Sequence, residues 1–147
     1  PPESEEQDWT VEKLVDEAAS DAVLVDLDQD GEKELILISP FHGEHIYFYK
    51  KIDGDYKKVY TYDTADFAHA IYGGTLLGKP AVIIGHRKGE RNLLLFTWEQ
   101  EKGQYQVEIL DRDCGPANVF KYERGTEEVL ISTNREIDEV AMYTFEK

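Results

Sequence analysis

Residues 25–39 read VDLDQDGEKELILIS, with acids at Asp26, Asp28 and Asp30, a glycine at Gly31 and a glutamate at Glu34. Oxygens at alternate loop positions converge on one hard cation, and a glycine permits the tight turn between them. Calcium accepts so many carboxylates and carbonyls, whereas magnesium demands stricter geometry and keeps water. The EF-hand places its last glutamate further along and lies between helices. Here an apolar run, ELILIS, follows at once, so the pattern predicts a calcium loop between two strands. Such a site would be structural, neutralising the loop and pinning the strands. The bland alternative is a solvated acidic turn that binds nothing.

A second set of reactive side chains is the histidines and the arginines near them. His69 precedes an apolar segment, while His42, His45 and His86 lie in loops that follow one. With Arg87, Lys88, Arg91 and Arg135 these loops gather cationic groups in an otherwise acidic chain. Arginine suits carboxylates and sugar hydroxyls through paired donors. A histidine near its ordinary pKa can take a proton alpha to a carbonyl. His42 and His45, with Glu44 between them, offer ligand atoms, although H-G-E-H is a weak metal signal. Taken singly, each has a plainer role: His69 packed and hydrogen-bonded, the arginines paired with Glu90, Glu136 or Glu139.

A repeat positions these loops. Gly31, Gly78 and Gly125 stand 47 residues apart, as do Phe48, Leu95 and Met142, and Ile46, Leu93 and Val140. The units contain VLVDLDQDGEKELILIS, AIYGGTLLGKPAVIIGH and ANVFKYERGTEEVLIST. Each continues through a polar loop into a second apolar segment, HIYFYKK, NLLLFTWEQ or EVAMYTFEK. Short β-branched runs bounded by turn residues read as strands. DGDYKKVYTYD and KGQYQVEILD add a turn and a half-exposed outer strand. VEKLVDEAAS has helical spacing at Val11, Leu14 and Val15, yet it occupies the place of those outer strands and is read as one. About four strands per unit at this period is the content of a propeller blade. The prediction is an all-β, three-bladed propeller segment over 9–147, with repeats near 9–53, 54–102 and 103–147, after an acidic, flexible lead-in at 1–8. The step of 47 aligns Ser39, His86 and Thr133, then Pro40, Arg87 and Asn134, then Phe41, Lys88 and Arg135, on one rim. Closed rings have four to eight blades. Three therefore require a second copy, further blades or another partner.

DLDQDGEKELILIS resembles the FG-GAP or VCBS type of propeller repeat. HAIYGGTLLGKPAVIIGHRKGERNLLLFTW and GPANVFKYERGTEEVLISTNREIDEVAMYTF are similar to blades of bacterial proteins related to aldos-2-ulose dehydratase. The resemblance covers residues 9–147 in outline, and the later units lack the acidic loops of that family. It implies a carbohydrate lyase or dehydratase working by β-elimination, with cations holding the enolate. His69 or His86 would then be the base, Arg87 and Arg135 the charge stabilisers, and His42, Glu44, His45, Asn134 and Glu136 the ligand-binding rim. The less demanding alternative, ranked first, is a calcium-stabilised binding or assembly module whose basic rim holds a carbohydrate or a protein.

Composition narrows the classes. There are 16 basic and 31 acidic residues, a net charge of −15, so a nucleic-acid partner is not expected. No apolar run is long enough for a membrane helix, and PPESEEQD does not resemble a signal peptide. One cysteine, Cys114, permits no internal disulfide. The compartment stays open.

Overall fold

The computed structural model describes residues 9–147; the acidic lead-in read at 1–8 lies outside them. The described chain is all-β, with eleven strands in three antiparallel sheets. The first sheet contains β1 (Asp21–Val25), β2 (Glu34–Ile38), β3 (Ile46–Ile52) and β4 (Asp55–Tyr62) in that order. The second contains β5 (Ala68–Leu76), β6 (Lys79–His86), β7 (Leu93–Glu99) and β8 (Gln104–Asp111). The third contains β9 (Pro116–Arg124), β10 (Glu127–Asn134) and β11 (Glu139–Glu146), with a short 3₁₀ turn at Arg135–Ile137.

The repeated apolar runs form the second strand of each sheet, and burial on both faces explains why they are nearly continuous. All five residues of β2 are buried. Ile36, Ile38, Ile46 and Phe48 of the first sheet meet Val82, Ile84, Leu94 and Phe96 of the second. Ala81, Ile83, Leu93 and Leu95, on the other face of the second sheet, meet Val119, Leu130, Tyr143 and Phe145 of the third. The first strands adjoin, β1 touching β5 and β5 touching β9. Gly73 of β5 makes this approach possible: a Cβ there would lie 2.7 Å from Val25 Cγ2 and 2.8 Å from Val23 Cβ.

Two expectations change. Residues 9–20 form no strand. Their apolar residues do not alternate, and Val15 instead packs on the outer face of the first sheet against Leu35, Leu37 and Tyr49. Glu17 fixes this strap by accepting from the Tyr49 hydroxyl and from Lys58 Nζ. The sheets also divide the chain at 21–62, 68–111 and 116–146, so each outer strand closes the sheet before it. The cause at β4 is local. Asp53 and Gly54 both have positive φ, the two-residue turn that folds β4 back onto β3.

The step is also not uniform. β5 and β6 begin at residues 68 and 79, and their counterparts β9 and β10 at 116 and 127, one residue beyond the 47-residue step. A one-residue slip exchanges the two faces of a strand. Asn134, and not Thr133, therefore stands where His86 stands in the second sheet.

Candidate functional site

Three buried polar residues hold the three loops that follow the second strands. Ser39, His86 and Asn134 are all nearly inaccessible. Ser39 Oγ accepts from the His45 N–H at 3.2 Å. His86 Nε2 accepts from the Asn92 N–H at 3.0 Å, and its Nδ1 pairs with the Lys88 carbonyl at 3.0 Å. Asn134 Nδ2 donates to Glu139 at 2.7 Å, while its oxygen accepts from Ser132 Oγ at 2.6 Å. Burial pushes the His86 pKa below its usual value, against the pull of the Lys88 and Asp66 backbone groups and of the Asp66 and Glu90 charges. His86 is thus a neutral imidazole with both nitrogens engaged in its own loop.

The other predicted catalytic residues do not converge with it on one open pocket. Arg87 Nε and Nη2 both donate to Glu136 Oε1, at 2.8 and 2.6 Å, and tie the second sheet to the third. Arg135 is exposed and 3.8 Å from the same oxygen. His69 Nδ1 donates to the Ala117 carbonyl at 2.8 Å. Its ring stacks on His42, with centroids 4.3 Å apart. Phe67 packs beside both rings, and Arg87 and Lys88 lie over its face at 5.0 Å. A shallow cleft opens here, lined by His42, Glu44, His45, Tyr47, Asp66 and Lys88 among others. His69, His86, Arg87 and Arg135 are not in its wall. His45 Nε2 lies 3.7 Å from Glu44. Among the described residues the cationic groups of these loops are therefore mostly ion-paired, and Lys88 alone of them has no carboxylate within salt-bridge distance.

The acidic loop does assemble. Asp26, Asp28 and Glu34 bring carboxylate oxygens within 4.8 Å of one another. Asp30 does not join them; its carboxylate accepts the Glu32 N–H at 2.9 Å. Asp26 takes the Asp30 and Gly31 N–H groups at 3.1 Å each, which closes the turn. Glu34 is buried, with one oxygen on the Leu27 N–H at 2.7 Å. Burial raises its pKa, against that hydrogen bond. Sequence reasoning missed the group that completes this cluster. Lys50 of β3 donates to Asp28 and stands 3.5 Å from Glu34. Calcium takes six to eight oxygen ligands at about 2.3–2.6 Å. The triad could hold a metal ion, and the Lys50 ammonium stands among the same oxygens.

Comparison of the chain with family models, with curated proteins and with solved structures gives no match.

Proposed function

We propose that the three sheets are blades of a β-propeller and that the chain is an assembly and binding module, its third sheet covered by the first sheet of a second copy. The adjoining first strands, β1 to β5 to β9, support a common axis. The observation that carries the reading is one bare apolar row. Val23, Ile36 and Phe48 run across the first sheet and are covered by the second. Tyr72, Ile83 and Leu95 run across the second and are covered by the third. Phe120, Ile131 and Met142 are the same row in the third sheet. There Phe120 is 62% exposed, Met142 55% and neighbouring Val140 71%. Solvent-facing apolar groups in such a row mark an interaction surface.

A second copy is the occupant because it carries the complementary face. Leu35, Leu37 and Tyr49 of the first sheet look away from the second sheet and, among the described residues, are covered by Val15 and Glu17 of the strap together with Tyr47 and Tyr56. Two copies joined head to tail in this way close a six-bladed ring. The polar cleft at His42, Glu44, His45 and Lys88 then lies on its rim, open to a carbohydrate or similar polar ligand. Elimination chemistry ranks lower: it needs a free imidazole beside free guanidinium groups, and His86 and Arg87 are both engaged.

Solution mass by light scattering tests the assembly. The expected result is a dimer that Met142→Glu converts to a folded monomer. A wild-type chain that stays monomeric at high concentration overturns it.

A further inference from the structure

We propose that Lys50 is the resident cation of the acidic loop, so that this loop is closed by an ammonium group and does not depend on calcium. The geometry provides what a metal would. Lys50 Nζ bonds Asp28, lies 3.5 Å from Glu34 Oε1 and sits 4.7 Å above the Trp98 ring of the second sheet. Its side chain is mostly buried, with those of Asp28 and Glu34 more so. The ammonium thus stands among the carboxylate oxygens of Asp28 and Glu34, two of the three acids of the triad. An ion bound by the triad would share this space with a positive charge, and like charges at such range repel strongly.

The sequence carries the same signal. Position 50 is Lys in the unit with the acids, and the equivalent positions, Thr97 and Thr144, are neutral in the units without them. The lysine and the acids therefore occur together. The device is also used a second time. Lys121 Nζ stands 2.9 Å from Glu128 Oε2, with both side chains almost fully buried. That oxygen also accepts the Leu77 N–H at 3.0 Å. Among the described residues, the two buried glutamates, Glu34 and Glu128, are both neutralised by lysines.

The experiment adds calcium alone, or a chelator, to three proteins, each carrying all 147 residues, and records thermal unfolding and binding heat. Wild type is expected to show no shift in Tm and no saturable calcium heat. Lys50→Gln is expected to gain a calcium-dependent rise in Tm, its affinity increasing by at least about a hundredfold once the ammonium is gone. Lys50→Arg keeps the charge and is expected to stay insensitive. Saturable calcium binding by the wild type, with a higher Tm, overturns the proposal. So does a folded Lys50→Gln that ignores calcium. If Lys50→Gln does not fold, the wild-type and Lys50→Arg titrations still decide. None of these outcomes bears on the dimer, whose mass is read separately.

Discussion

At the scale of single residues, the rim is governed by satisfaction of buried groups. His86 is the clearest case, because its neutral form alone fits both its partners: Nδ1–H donates to a carbonyl and Nε2 accepts an amide proton. A folded-state pKa below the usual 6.5 means that the unfolded chain binds the proton more readily. Stability from His86 is then present above 6.5 and lost as pH falls from there through the lowered folded pKa. His86→Asn, which installs the residue found at the matching place in the third sheet, is expected to fold and to flatten this part of the profile. Urea unfolding from about pH 8 down to pH 5 checks it. The histidines were visible in the sequence as candidates, and a packed, hydrogen-bonded His69 was among the readings, but the engagement of His86 was not. Nothing in HRKGERN announces that the first residue is buried and bonded to the last. For Arg87 the sequence left Glu90, Glu136 and Glu139 open as partners, and the fold selects Glu136, 49 residues away.

At the scale of elements, the strands were legible and their grouping was less so. ELILIS, AVIIGH and EVLIST announce themselves through apolar continuity. The row Phe48, Leu95 and Met142 was in register from the start. The period misled in two places. It assigned a strand to VEKLVDEAAS, whose apolar residues fail to alternate, and it put Thr133 where Asn134 belongs. An extra residue before β9 is invisible to a fixed step, yet it decides which face of the third sheet is buried. Close approach of first strands was also unreadable from pattern, although Gly73 marks it. Gly73→Ala drives a methyl into Val23 and Val25 and is expected to cost about 1–3 kcal/mol, as overpacking does. A lower urea midpoint with an unchanged slope is the outcome to look for.

At the scale of the whole molecule, the bare row of the third sheet and the strap over the first are two halves of one expectation. If the strap guards a face that a second copy can use, shortening it bears on assembly more than on folding. Replacing Glu17 by Gln weakens its ties to Tyr49 and Lys58 and is expected to shift the light-scattering midpoint towards dimer at lower concentration. A shift towards monomer would mean that the strap is part of the interface. The order of the sheets has a further consequence, for how the chain reaches this shape. Every strand pairs only with its neighbour in sequence. Each sheet can therefore condense from consecutive hairpins as soon as its own segment is available, with no distant partner to await. Local pairing of this kind lowers contact order and quickens folding relative to Greek-key β proteins of similar size. The slow event is then the stacking of preformed sheets, and in the proposed dimer the last surface to be buried is the one that must wait for another molecule.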